Sequence, residues 1–236
     1  MDGMTTDTGT RARNRAAVEA SLREVGSRHL AEHGAAALSL RAVARDMGRT
    51  PSSLYRYVRD RDDLLTMLIV DAYDDLGDAI DTAVGDHPNR RHAFTAFAHA
   101  LRAWSLGHPS EYALLYGSPV PGYHAPADAT GRAGNRPILA LARIVAPATA
   151  VPAVDGVDRT VQAGAADALA ATTREDGVAD IGLSPDTLAR ALVVWNLMLG
   201  AITAELFEQL GPITDRPDDV WAGTVDLAAA LLFGRD

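Results

Sequence analysis

Residues 38–61 read LSLRAVARDMGRTPSSLYRYVRDR, and the punctuation of this stretch decides the fold. Ser39 stands where a hydroxyl accepts from the free amides of a helix starting at Leu40. Leu40, Val43, Ala44 and Met47 recur at three- and four-residue spacing, one apolar face of a short amphipathic helix. Gly48 follows, the residue that enters the left-handed conformation with no Cβ penalty. Thr50 is placed to cap a second helix, and Pro51 fits its first position, where no amide donor is needed. Leu54 and Val58 continue the apolar side. Asp60 is placed to cap a third helix, with Asp62 and Asp63 in its first turn, where negative charge suits the dipole. Two helices joined by so short a turn cross sharply and leave the second protruding.

What protrudes suits phosphates and bases. Arg41, Arg45, Arg49, Arg56, Arg59 and Arg61 stand against Asp46 and Asp60, a local balance of +4. Over residues 10–61 the balance is +6, while the whole chain carries −9, so the remainder sums to −15. A cationic end on an acidic chain concentrates phosphate attraction in one place. Tyr55 and Tyr57 add phenol donors, and Ser52 and Ser53 are short enough to let a helix sit deep in a major groove. The pattern predicts a helix-turn-helix reader of DNA. The same residues also suit a small helical domain whose charges are solvated and whose tyrosines fill its core.

Here the chain resembles a known family. Gly34, Leu38-Ser39-Leu40-Arg41, Val43-Ala44, Gly48, Leu54-Tyr55-Arg56-Tyr57-Val58 and Asp62-Asp63-Leu64-Leu65 look like the N-terminal domain of TetR-type repressors, over roughly residues 12–66. The resemblance implies that Arg41 and Thr50, Pro51, Ser52 and Ser53 meet base edges or nearby backbone, with Ser39 beside them. It implies that Tyr55, Tyr57 and Arg61 hold phosphates. Arg49 stands where the family usually has an apolar residue; either it snorkels from the turn or it adds a DNA contact.

The chain has 236 residues, no Cys and no Lys, so all 22 Lys+Arg positions are Arg. Without Cys there are neither disulfides nor thiolate metal sites. No apolar run follows the opening MDGMTTDTGTRARNR, so no secretory signal is expected, and residues 1–11 read as a disordered N-terminal arm. Ala191–Ala204 is the most apolar stretch but is shorter than the ~20 residues that cross a bilayer; a cytoplasmic protein with no membrane partner is expected. No strand alternation is evident, and the class expected is all-α: a three-helix domain at 12–60 and a helical effector-binding and dimerisation domain at 61–236. Helices are expected at 13–33, 61–84, 88–106, 111–116, 132–146, 157–174, 185–210 and 217–233, with a loop at 117–131 and breaks at Pro147 and Pro152.

The last two helices carry the second reading. Leu188, Leu192, Trp195, Leu199, Ile202 and Leu206 fall on one stripe, and a helix apolar nearly all round is covered on more than one side. A homodimeric four-helix interface through Leu188, Leu192, Leu199, Ile202, Leu206, Val225 and Leu232 supplies that cover. Trp195, Gly200 and HPSEYALLYGSPVPGY at 108–123 resemble a branch of the family named for a Trp-His-Gly signature, although Leu199 replaces its histidine. Family likeness further implies a small-molecule effector in the second domain. Phe97, Leu101, Trp104, Tyr112, Tyr116, Tyr123, Trp195 and Met198 are the candidate lining, being mostly apolar and aromatic.

Catalysis has no support in the sequence. It holds no Gly-x-Ser-x-Gly, His-Glu-x-x-His, P-loop or glycine-rich dinucleotide turn. His29 and His33 have helical spacing for a metal, yet a solvated helix face is the stronger reading of the pair. No metal site, cofactor or enzymatic activity is expected. The partners expected are operator DNA, an effector and a second copy; the alternative is a helical sensor or adaptor that does not bind DNA.

Overall fold

Gly48 takes φ +64°, and Asp60 Oδ1 accepts the Asp63 amide at 2.9 Å. The stops marked in the sequence therefore do divide the N-terminal segment. The computed structural model describes residues 5–146, 159–175, 178–209, 211 and 214–234, and among these it is all-helical. The elements are α1 (Thr5–Ala37), α2 (Leu40–Asp46), α3 (Pro51–Leu54), α4 (Arg61–Val84) and α5 (Arg90–Gly107). They continue with α6 (Pro109–Tyr116), α7 (Ala127–Val145), α8 (Arg159–Leu169), α9 (Pro185–Leu206) and α10 (Pro217–Phe233). Short 3₁₀ turns lie at Thr172–Arg174 and Ala179–Ile181.

Several boundaries differ from the sequence expectation. The first helix begins at Thr5, so residues 5–11 of the expected arm are helical and residues 1–4 lie outside the described residues. Once a helix is nucleated, each further residue adds a hydrogen bond at small cost. Gly34, at φ +74°, breaks it as the sequence suggested. The loop expected at 117–131 ends earlier, because the Pro126 carbonyl accepts the Thr130 amide at 2.9 Å and starts α7. The breaks expected at Pro147 and Pro152 lie outside the described residues.

Two compact units result: Met1–Ala72 with His108–Arg132, and Tyr73–Gly107 with Ala133–Asp236. The boundary drawn from sequence at residues 60 and 61 falls instead within α4. The reason is packing: Leu64, Leu65 and Leu68 join Leu22, Val43 and Leu54 in the first unit's core. From α6 and the loop after it, Leu114, Val120 and Tyr123 pack on that same core.

In the second unit α9 packs against α5, α8 and α10. Arg136 of α7 reaches across Gly77 of α4 to Asp78 at 2.6 Å and Asp81 at 2.5 Å. A Cβ on Gly77 would stand 2.5 Å from Arg136 Cδ, so glycine is what lets the guanidinium lie there. Arg102 forks onto Glu205 at 2.6 and 2.8 Å, a bidentate pair between α5 and α9. Arg190 donates to the Leu231 carbonyl at 3.0 Å, and Arg91 donates to that of Gly234. These two cations sit where the dipole of α10 favours positive charge.

Helix α9 is long and apolar enough to cross a membrane by length and composition, with a window of mean hydropathy 1.5. Leu188, Val194, Met198 and Ile202 account for part of this by facing the unit's core. Val193 and Leu197 account for more on the other side, where they stay exposed.

Candidate nucleic-acid interface

The reading segment is held from beneath and left open above. Leu54 and Val58 are buried, which fixes the underside of α3. Ser39 Oγ accepts the Ala42 amide at 3.5 Å, and the Arg49 amide donates to the Ala44 carbonyl at 2.8 Å, closing the turn. Thr50 holds the extended backbone of an N-cap, but its hydroxyl meets Ser52 Oγ at 3.1 Å rather than an amide. Ser53 Oγ donates to the Thr50 carbonyl at 2.7 Å, and half-buried Pro51 opens the helix.

Outward, Arg41 and Arg49 are exposed, and their guanidinia form no hydrogen bond or ion pair among the described residues. Tyr55 is 53% exposed, the largest aromatic surface near the turn. Tyr57 behaves differently: it packs on the core, and its ring lies 4.9 Å from the Arg56 guanidinium and 5.8 Å from that of Arg15.

Arg61 is engaged within the unit. It donates to the carbonyls of Leu38 at 3.1 Å, Ala35 at 2.9 Å and Ala36 at 3.2 Å, with Asp62 at 3.4 Å. These carbonyls lie just past the Gly34 break, so the guanidinium ties the start of α4 to the α1–α2 connection. The phosphate role implied by resemblance competes with this clamp.

Two charge pairs brace the site. Arg59 forks onto Asp63, and that hydrogen bond holds the Asp63 carboxyl below its ordinary range. His29 corrects the reading of a solvated face: it is 5% exposed, and its Nε2 lies 2.7 Å from Asp46 Oδ2. That bond is the main cause of a lowered Asp46 value, with Arg45 and Arg28 adding attraction. A carboxylate at the last residue of α2 opposes the helix dipole, so it needs such a partner. Spacing alone could not find this pair, because His29 and Asp46 come from different helices.

The eight candidate effector residues are not brought together within one unit. Tyr112, Tyr116 and Tyr123 belong to the first; Phe97, Leu101, Trp104, Trp195 and Met198 belong to the second. Tyr123 shares a hydrogen bond of 2.9 Å with Thr66. Phe97, Leu101 and Met198 are fully enclosed, and the Trp104 indole donates to Asp75 at 2.7 Å. Only Trp195 of the second-unit group is half-buried, 6.4 Å from Phe97 between ring centres.

A groove of about 500 Å³ lies elsewhere in this unit, lined by Ala201, Ala204, Glu205, Val220, Trp221 and Thr224 among others. None of the eight lines it. Trp221 is 2% exposed, its buried indole N–H has no acceptor among the described residues, and the Arg102 guanidinium lies 5.7 Å from its ring centre. The signal in the sequence was the pair of small residues Ala201 and Ala204, which leaves room beside a tryptophan.

The dimer stripe also needs correction. Leu188, Ile202, Val225 and Leu232 are buried inside a single chain and so serve its core; Leu192, Leu199 and Leu206 are half-buried. Large apolar side chains left bare on these helices are Val193, Leu197, Val220 and Leu227, a different angular phase.

Residues 94–228 match the family model described as Tetracyclin repressor-like, C-terminal domain. The chain is 38% identical over 228 residues to HTH-type transcriptional regulator Rv1816 of Mycobacterium tuberculosis, covering 95% of this chain and 96% of that one. The same figures hold for HTH-type transcriptional regulator Mb1846 of Mycobacterium bovis. Among solved structures, regulatory protein SCO4313 is similar with a TM-score of 0.74 and 31% identity, over 92% of this chain and 97% of that one. A Rhodococcus sp. RHA1 protein has a TM-score of 0.63 at 24% identity, over 91% of this chain and 94% of that one.

Proposed function

From the premise that this chain belongs to the TetR family of transcriptional regulators, we propose that it is a dimeric cytoplasmic repressor released from DNA by a small molecule. Members of the family are regulators and not enzymes, so binding is its chemistry. The observation that carries the DNA reading is the outward pair Arg41 and Arg49 beside exposed Tyr55, on a turn held down by Leu54 and Val58. Unpaired guanidinia on a protruding turn meet phosphates and guanine edges without first breaking an internal bond. Ser52 sits with them as an exposed short donor. Arg61 serves in this reading as the clamp behind the interface.

Two-fold symmetry follows from what a helix-turn-helix needs, since dimers place two reading helices about 34–36 Å apart or at multiples of a turn. The bare face of Val193, Leu197, Val220 and Leu227 supports a second copy as its cover. The groove beside Trp221 supports an effector that is largely apolar. Such a molecule shifts the reader only by as much as its affinity differs between the binding and non-binding states.

The test is selection of duplexes from a randomised pool by the purified full chain, followed by native mass spectrometry of the complex. A recovered quasi-palindrome bound by two or more copies supports the reading. Recovery of no preferred sequence refutes it.

A further inference from the structure

We propose that the first described turns of α1 form a second DNA-backbone contact, in which Arg11 and Arg15 neutralise phosphates beside those met by the helix-turn-helix. This rests on the DNA-binding reading above. The core-facing stripe of α1 begins at Val18, and every residue from Thr10 to Ala17 is exposed. The helix therefore runs two turns beyond its core-facing stripe. A helix segment polar all round with no covered face has no packing reason to extend. Its charge does offer a reason: Arg11, Arg13 and Arg15 lie there against Asp7 before them and Glu19 after them on the same helix.

Position links this charge to the reading segment. The Arg15 guanidinium lies 5.8 Å from the Tyr57 ring centre, and Arg56 lies 4.9 Å from the same ring. One aromatic thus gathers a cation from α1 and a cation from the end of the reading segment. Glu19 accepts from Arg15 Nε at 2.8 Å, which orients the side chain while leaving it 65% exposed. Arg11 is one turn earlier on the same stripe, about 6 Å along the axis. Arg13 is two residues from each, on the opposite side, and donates to Thr10 Oγ1 at 3.2 Å. The backbone contact is a stripe of Arg11, Arg15 and Arg56.

Counterion release reads such contacts one by one, because each neutralised phosphate adds about 0.9 to the slope of log affinity against log salt. The experiment is fluorescence anisotropy of the full chain with a duplex recovered from the randomised pool, between about 50 and 200 mM salt. Arg11→Ala with Arg15→Ala is expected to lower the slope by about 1.8, roughly a twelvefold smaller loss of affinity across that range. Arg11→Lys with Arg15→Lys restores the slope, and Arg13→Ala leaves it unchanged. Alanine is the strongest helix former, so α1 persists in these variants, as circular dichroism checks. An unchanged slope in the double alanine variant overturns the inference, as does an equal fall for Arg13→Ala. Failure of the unaltered chain to bind any duplex is a separate result, which removes the DNA reading itself.

Discussion

Leu227 is 63% exposed in a single chain, whereas Ile202, on the helix beside it, is fully buried. Alanine at each separates association from folding. Fully burying a leucine side chain stabilises by about 1.5–3 kcal/mol, so covering the bare portion of Leu227 is worth roughly 1.5 kcal/mol per copy. A two-fold interface contains the residue twice, giving about 3 kcal/mol per dimer. Leu227→Ala is therefore expected to weaken self-association on the order of 100-fold, while urea unfolding of the dissociated chain stays within about 0.5 kcal/mol of the original, as for surface sites. Ile202→Ala is expected to lower folding stability by about 2–5 kcal/mol through the cavity it leaves. Sedimentation equilibrium over a range of concentrations gives the first quantity, and urea melts give the second. A dimer constant unmoved by Leu227→Ala refutes the assignment of this face.

Removing the Arg61 clamp by Arg61→Ala is expected to destabilise the chain by about 1–3 kcal/mol, the scale of hydrogen bonds to a charged group. The salt slope of DNA binding should meanwhile stay constant, which separates a clamp from a phosphate contact. Trp104→Phe deletes the indole donor to Asp75, and the exposed carboxylate rehydrates; a loss of about 1 kcal/mol in urea melts is expected. Asp46 and Asp63 both lie below their ordinary value of 3.8, through bonds from His29 and Arg59. Their folded values are lower than their unfolded ones, so their stabilisation is complete above the ordinary carboxylate range and is lost as pH falls through the folded values. Acid unfolding followed by circular dichroism should show this loss below about pH 4, and Asp63→Asn should flatten that limb.

Local chemistry was legible in the sequence, and phase was not. Gly48, Asp60 and Pro185 each mark a chain reversal or helix start whose cause is contained within a few residues, and the helix ends fall there. The bounds of α4 are those the apolar periodicity suggested, Arg61–Val84. Where two helices must be known together, sequence reading ran out. The stripe through Leu188 and Ile202 is the strongest on α9, yet packing against α5, α8 and α10 turns it inward and leaves Val193 and Leu197 outside. His29 looked like a surface residue because its partner, Asp46, is supplied by another helix. Tyr112 looked like pocket lining because aromatics suit ligands, but α6 packs on α1 and closes over it. The groove beside Trp221 arises from small residues facing a large one across two helices, a relation no single periodicity displays.

The claim that residues 38–61 read DNA meets its most direct test in the affinity of the full chain for a selected duplex after Arg41→Ala, Arg49→Ala and Tyr55→Ala together. All three side chains are exposed, so the fold should be retained, as circular dichroism and thermal melts check. If each contact contributes about 1–3 kcal/mol, affinity falls by at least about 100-fold, and the distinction between selected and scrambled duplexes narrows with it. An affinity within a factor of about two of the unaltered chain contradicts the account, because a loss that small is well under the energy of one such contact.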